Sequence, residues 1–379
     1  MSSIKVLIAG DYVPQNRVRK LIDDGKYRDV WGEVPSITEQ YHYSILNLEC
    51  PILSEGGVTP IKKTGPNLKC TSKNAIDAIS FAHFSAVTLA NNHFRDYGNE
   101  GVSSTISLLK DAGIDYVGGG NTLTEAGSYL TKEILGKRFV FINMCEREWS
   151  IASSANGGAN QIDTISLFYQ IQEAKKTSDY IIAIFHGGKE LYNLPTPRMQ
   201  KLYRYVIDLG ADAVINHHQH CFSGYEIYKE KPIFYGIGNL CFDKGERHPK
   251  GWNYGFMVGL KFDEKISFEL YPYDQCDITP GIHLLQDQRK FNNQLAELNS
   301  IINNSELLNK RYAEVITSSI PNVKSLLEPY WGRWIRGIVR KIGGPYLQTK
   351  QGYRYILANL QCETHQEIMF KSLNQILGI

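Results

Sequence analysis

Two carboxylates, several carboxamides and a large share of the histidines stand in five short segments, each directly after a strand-like apolar run. The segments are Gly10-Asp11, Asn47-Leu48-Glu49, Asn91-Asn92-His93, His186-Gly187-Gly188 and Asn216-His217-His218-Gln219-His220. Five of the ten histidines fall in them. One histidine after a strand is ordinarily a hydrogen-bonded core or surface residue, but five such endings in succession form a joint pattern. Carboxylate, carboxamide and imidazole donors together suit a borderline divalent ion such as Zn, Mn or Fe better than Ca, which takes all-oxygen cages. Glycines beside Asp11 and His186 would let backbone approach a ligand closely, with turn formation as their alternative role.

Segments this far apart converge only if strands carry them to one edge, as at the carboxyl ends of an open α/β sheet. The runs Ile4–Ala9, Ser44–Leu48, Ala86–Ala90, Arg138–Met144, Tyr180–Phe185 and Ala213–Ile215 read as buried strands. Between them the spacing predicts helices. The clearest covers Pro197–Leu209, with Thr196 as cap, Pro197 at the first position, Met199, Leu202, Val206 and Leu209 on one face, and Gly210 as stop. A second covers Gly101–Ala112 and ends at Gly113. Alternating strand and helix predicts an α/β layered domain. From Gly224 the pattern turns to hairpins, with strands at Tyr225–Tyr228, Pro232–Ile237, Gly255–Phe262 and Ile266–Tyr271, so the sheets are expected to be mixed. After Pro280 helical spacing takes over, dividing the chain into residues 1–280 and a helical C-terminal region, 281–379.

The 379 residues, 42% hydrophobic and 21% charged, exclude disorder, collagen-like repeats and coiled coil, and suffice for a large core. Lysine and arginine total 41 against 39 acidic residues, and the net charge of +2 offers no general field for nucleic acid, which is not expected as a partner. The start Met1-Ser2-Ser3-Ile4-Lys5 leads straight into a strand-like run without a signal-peptide pattern, and no apolar stretch is long enough to span a bilayer. A soluble, cytoplasmic protein is expected. Seven cysteines without a CxxC pair fit reduced thiols packed in a core.

The same segments, taken in order, resemble the CapA family of poly-γ-glutamate and capsule biosynthesis proteins. The likeness rests on Gly10-Asp11, Asn47-Leu48-Glu49-Cys50-Pro51, Leu89-Ala90-Asn91-Asn92-His93 with Asp96-Tyr97-Gly98, His186-Gly187-Gly188-Lys189-Glu190, His217-His218-Gln219-His220 and Gly238-Asn239. Leu109–Ile114, Val117–Gly120 and Lys231–Tyr235 agree as well, so the resemblance covers about residues 4–245. That family is similar to the calcineurin-like metallophosphoesterases. The resemblance implies an α/β fold of that kind: a sandwich of mixed β-sheets flanked by helices, here with a helical C-terminal extension, and a centre of two divalent ions (Mn, Zn, Fe or Mg) at the strand ends. Asp11 then takes the place of the first-strand ligand, Glu49 of the bridging carboxylate, Asn92 of the asparagine ligand, His186 of the lone histidine, and His218 and His220 of the closing pair. His93 is implied as the proton donor or charge stabiliser for the leaving group, oriented by Asp96, for which helix capping is the alternative. Two positions depart from the pattern. Val13 stands where the usual Asp-x-His has its histidine, and Asn216 opens the closing motif where the family has glycine.

A two-metal clamp of this kind, with ions about 3.5–4 Å apart, lowers the pKa of a bridging water and stabilises charge on the attacked group. Lys63, Asn91, Glu190, His217 and Asn239 are expected to face substrate, with Lys62, Lys69, Arg198, Lys244 and Asp243 close by. Basic groups over a metal pair suit an anionic or phosphorylated polymer or its precursor. Segment 331–342 would form a basic, tryptophan-bearing amphipathic helix able to touch a membrane surface, although packing on the domain explains its pattern equally well. The leading function is a metal-dependent hydrolase of CapA type acting on a phosphoester or an amide in capsule, exopolysaccharide or poly-γ-glutamate biosynthesis. A non-catalytic polymer-binding or assembly factor is the alternative. Glycosidic cleavage by paired carboxylates, which needs no metal, is opposed by the histidine density.

Overall fold

The computed structural model describes residues 3–54, 57–245, 248–327, 341 and 350–378, so the amphipathic segment 331–342 lies outside the described residues but for Lys341. In chain order the strands are β1 (Ile4–Val13), β2 (Tyr43–Leu48), β3 (Ala86–Thr88), β4 (Asp115–Val117), β5 (Gly119–Gly120), β6 (Leu130–Ile134), β7 (Lys137–Cys145), β8 (Gly158–Ala159), β9 (Tyr180–His186), β10 (Ala213–His217), β11 (Tyr225–Tyr228), β12 (Lys231–Phe234), β13 (Asn239–Phe242), β14 (Tyr254–Phe262), β15 (Ile266–Gln275) and β16 (Ile282–Leu284). One sheet has the order β16-β15-β14-β1-β2-β3-β4, and the other β11-β12-β10-β9-β7-β6. Both are mixed, as expected. β1 to β4 run parallel while β14 to β16 extend the first sheet antiparallel, and in the second sheet parallel β12, β10, β9 and β7 are flanked by antiparallel β11 and β6.

Side chains alternate across each strand, so one face of β1 serves each of two cores. Val6 and Ile8 join the core that contains Phe139, Phe141 and Phe185 of the second sheet, whereas Leu7 and Ala9 join Val18, Ile22, Ile76 and Ile79 of the helices over the first. Tyr43 of β2 stacks on Phe141 of β7 with ring centroids 5.3 Å apart, which sets the two sheets face to face. Helix Pro197–Leu209 covers the outside of the second sheet, with Tyr203 stacked on Phe185 at 4.8 Å. It forms as expected: Thr196 Oγ1 accepts the Met199 N–H at 3.2 Å, and Gly210 ends it at a φ of 127°. The result is a sandwich of two mixed sheets with helices on both outer faces.

Several boundaries move and one strand is added. The helix expected at Gly101 starts at Gly98, the strand pattern expected to stop at Pro280 continues through β16, and β13 is an additional strand. Beyond β16, helix Arg289–Ile302 buries Phe291, Leu295, Leu298 and Ile302 in the same core as the second sheet, with Phe291 5.1 Å from Phe222. Helices Ser305–Leu327, Lys350–Gln361 and Glu363–Leu377 follow, and Tyr312, Ile316 and Ile368 form a small core between them. The seven cysteines are free and buried. Among the described residues no helix is long and apolar enough to cross a membrane.

β1 does not end at Ala9 as its apolar run implied but continues to Val13. Its register with β2 shifts between Ile8 and Asp11, and from Asp11 onward it pairs with β13 in parallel. Gly10 lies at this shift, where a Cβ would stand 2.1 Å from the Gly238 carbonyl oxygen. Gly10→Ala is therefore expected to cost about 3 kcal/mol, the upper end of overpacking penalties, read as a lowered urea midpoint. An unchanged midpoint would contradict the close approach of the two segments.

Candidate metal centre

All five segments meet at one end of the sandwich. Asp11 follows the register shift of β1, Glu49 is the first residue after β2, His186 ends β9, and His217 ends β10 opposite His186 in the parallel ladder. His218 and His220 follow in the left-handed region, at φ values of 90° and 56°, so the turn after β10 carries both imidazoles toward Glu49. Such backbone costs about 1–3 kcal/mol per residue and persists where the surroundings impose it, commonly at functional sites. Asn216 belongs to that imposed geometry. Its amide donates to the carbonyls of Gly187 and Tyr235, both at 3.0 Å, and accepts the Tyr203 hydroxyl at 2.7 Å, a role glycine could not fill.

Two overlapping sets of donor atoms result. Glu49, His186 and His218 form one, and Asp11, Glu49 and His220 the other, each with its ligand atoms within 4.8 Å of one another. The Nε2 atom of His186 lies 3.1 Å from Asn92 Oδ1, 3.1 Å from His218 Nδ1 and 3.6 Å from Glu49 Oε1, so Asn92 joins the first set. His220 places Nδ1 3.5 Å from Asp11 and Nε2 3.8 Å from Glu49. Glu49 is fully buried, yet neither of its carboxylate oxygens has a hydrogen-bond partner, and Asp11 Oδ2 is also unpartnered. Buried carboxylate oxygens without partners are costly, and each such group calls for an explanation. The donor set fits a divalent cation in each group, with Glu49 shared.

The electrostatics agree. Burial pushes the Glu49 carboxyl up, and neighbouring Asp11, Glu190 and Glu148 push it further, well above the usual range. Burial acts on Asp11 in the same direction, but His217 and His220 outweigh it and hold that carboxyl well below. Burial, then the neighbouring imidazoles, depress His186, whereas Asp11 and Glu190 raise His220 against its own burial. Cations in the centre would remove the repulsion between the two carboxylates.

Beside the centre, His93 Nδ1 lies 2.7 Å from Asp96 Oδ2, the arrangement expected for an oriented imidazole. Asp96 does not cap a helix here. It also accepts the Leu68 N–H at 2.6 Å and pairs with Lys63, whose ammonium is 3.2 Å from His93 Nδ1. Lys63, expected to face substrate, is thus buried in the His93–Asp96 unit. Asn91 is buried as well, donating to the Leu48 carbonyl at 2.9 Å and accepting the His93 N–H at 3.1 Å. Asn239 Oδ1 accepts from His220 Nδ1 at 2.9 Å, and its amide N–H groups donate to the His220 and Trp252 carbonyls. His217 lies deep, with Nδ1 3.2 Å from Asp11 Oδ1. Glu190 alone of the expected substrate-facing residues is exposed. Desolvation in the crevice pushes its carboxylate up, and the charges of His220, His218, His93 and Lys244 outweigh that and hold it low.

Among the neighbouring charges, Asp243 is locked in an ion pair with Arg17 at 2.8 Å, and Arg198 is paired with Glu146. Lys244 stays near the mouth, its ammonium 3.6 Å from the Trp252 ring centroid. Asn47, which stands in the second segment but received no role from the sequence, donates through its amide to Asp11 Oδ1 at 2.8 Å and lies 3.3 Å from His186 Nδ1. Its place in β2, two residues before Glu49, was the available signal. Glu146 and Glu148 were missed, because they follow β7, the one of the six strands expected before residue 220 whose end carries none of the five segments.

Relatives bear out the family resemblance. The capsule biosynthesis protein CapA of Bacillus anthracis is 28% identical over 249 residues, 64% of this chain and 60% of its own length. The chain therefore spans less than two thirds of that relative. The PGA biosynthesis protein CapA of Bacillus subtilis (strain 168) is 27% identical over 275 residues, 72% of each. Among solved structures, a 5'-nucleotidase from Candida albicans SC5314 aligns with 83% of this chain and 58% of its own at 11% identity and a TM-score of 0.40. The bacterial capsule synthesis protein family PGA_cap matches residues 5–244, well over half of the sequence, and the chain belongs to that family.

Proposed function

We propose that the chain is a metal-dependent hydrolase of CapA type, cutting a phosphoester or an amide in an anionic cell-surface polymer or its precursor during capsule or poly-γ-glutamate synthesis. The observation that carries this reading is Glu49: a fully buried carboxylate, without hydrogen-bond partners, common to both donor sets. Asp11, Glu49 and His220 would hold one divalent ion, and Glu49, Asn92, His186 and His218 the other. When bound, such a pair polarises the attacked group and supplies a nucleophile at neutral pH.

The remaining steps belong to the protein. Asp96 fixes the His93 ring through Nδ1, leaving Nε2 to carry the proton to the leaving group. Lys63 balances the Asp96 charge and lowers the proton affinity of His93, which favours transfer to the leaving group. At the mouth, Lys244 offers an ammonium steadied by Trp252 to an anionic chain, while Glu190 sets the charge of the crevice.

A direct check is hydrolysis of an aryl phosphate by the purified chain with added Mn, Zn or Mg. Turnover that disappears with a chelator and returns with metal is the expected result. The non-catalytic reading draws support from Val13, a buried apolar residue where the related pattern has an imidazole. Metal binding without turnover on phosphomonoester, phosphodiester and γ-glutamyl amide probes would decide for it.

A further inference from the structure

The C-terminal helix Glu363–Leu377 lies outside the matched stretch 5–244, yet its first turn reaches the loop beside the imidazoles. The link is the loop after β7. Glu146 is buried at 3% exposure, and its N–H donates to the His186 carbonyl at 3.0 Å. Its Oε2 accepts the Gly188 N–H at 3.2 Å, and a Cβ at Gly187 would stand 2.7 Å from Glu146 Cγ, so the His-Gly-Gly turn is moulded over this side chain. Two residues on, Glu148 Oε1 stands 3.9 Å from His218 Nε2. One loop thus touches the His186 backbone and the His218 imidazole, both residues of the set that contains Asn92.

From the other side the same loop is held by the C-terminal helix. Thr364 Oγ1 donates to Glu146 Oε1 at 2.7 Å, and Cys362 Sγ lies 3.5 Å from Oε2. The Arg147 N–H donates to Glu363 Oε2 at 2.7 Å. Arg198 ties the parts together, pairing with Glu146, donating to Thr364 Oγ1 at 3.0 Å and meeting Glu367 at 3.5 Å. Burial pushes the Glu146 carboxyl up, but Arg198, Thr364 and the Gly188 N–H outweigh it and keep the group below its usual range.

We propose that the C-terminal helix is a working part of the metal centre: through Thr364 and Glu363 it fixes the Glu146–Glu148 loop, and through that loop it positions His186 and His218. This rests on the metal reading above. Groups that orient metal-ligating imidazoles typically change affinity by about 10- to 100-fold when removed. Thr364 and Glu363 are positioning residues, since neither reaches the donor set itself.

The test uses the full-length chain and its Thr364→Val, Thr364→Ser and Glu363→Ala variants, titrated with Mn and with Co. Wild type and Thr364→Ser are expected to take up two equivalents with similar affinity. Thr364→Val is expected to bind one of them about 10- to 100-fold more weakly, with a changed visible spectrum of the Co-loaded protein. Glu363→Ala, on the surface of the helix, should weaken the same equivalent in the same direction and serves if Thr364→Val does not fold. A lowered melting temperature with both affinities and the Co spectrum unchanged in the folded variants would overturn the proposal. Wild type that binds no metal would instead overturn the reading on which it rests.

Discussion

A Glu49→Gln variant is expected to lose both metal equivalents and about a thousandfold or more in turnover, while being more stable than metal-free wild type at neutral pH. The first part follows from geometry, because Glu49 is the residue common to both donor sets. The second follows from linkage. Burial and the neighbouring Asp11, Glu190 and Glu148 raise the folded-state pKa of Glu49 above its unfolded value near 4.5. Between those two values the folded chain binds more protons than the unfolded one, so this contribution to stability is present below the unfolded pKa and lost as pH rises through the folded one. At neutral pH, above the unfolded value, the metal-free protein therefore either takes up a proton at Glu49 on folding or buries an unpartnered charge, a cost that glutamine lacks, of about 1–3 kcal/mol. The advantage of Glu49→Gln should shrink as pH falls toward 4.5. Metal should stabilise wild type and leave the variant unchanged, both read from chemical denaturation with and without added Mn. A metal-free variant less stable than metal-free wild type would show that Glu49 serves the fold rather than an ion.

The second large effect belongs to His93. His93→Ala is expected to keep both metals and to lose about 10²- to 10⁴-fold in turnover, the range that general acid catalysis contributes. The separation is possible because His93 belongs to neither donor set and is held instead by Asp96 and Lys63. Its pH dependence has a definite sign. Burial, then the Lys63 charge, lower the His93 pKa, with Asp96 opposing in part. The protonated form is thus already lost below the ordinary imidazole range, and activity limited by it should fall as pH rises toward neutrality. Lys63→Met removes one of the depressing charges, so that fall should move to higher pH. Full activity in His93→Ala, or a Lys63→Met profile displaced to lower pH, would remove His93 from the proton-transfer role.

Much of this centre was legible because strand ends announce themselves. An apolar run followed by Asp, Asn or His marks where a strand leaves the core, and Asp11, Glu49, Asn92, His186, His218 and His220 all stood at such points. Their convergence was an expectation from α/β architecture, and the two-sheet sandwich met it. Less legible were residues whose partners come from distant chain. Lys63 lies in a loop whose destination no periodicity encodes, and only the folded chain shows it against Asp96. Asn239 opens a strand, β13, too short and too polar at its start to read as one, and its amide serves His220 rather than a ligand. The continuation of β1 past Gly10 was hidden because a register shift leaves no hydrophobic signature. Arg198 and Asp243 read as charges near strand ends, and ion pairs with Glu146 and Arg17 hold them.

The central claim is that this strand-end cluster holds two divalent ions through a shared Glu49. The most direct test is the number of transition-metal ions per chain, measured by inductively coupled plasma mass spectrometry on protein purified without chelator and re-equilibrated with Mn or Zn. The account predicts about two per wild-type chain and none above background for Glu49→Gln. No metal in wild type, or equal metal in both proteins, would contradict it.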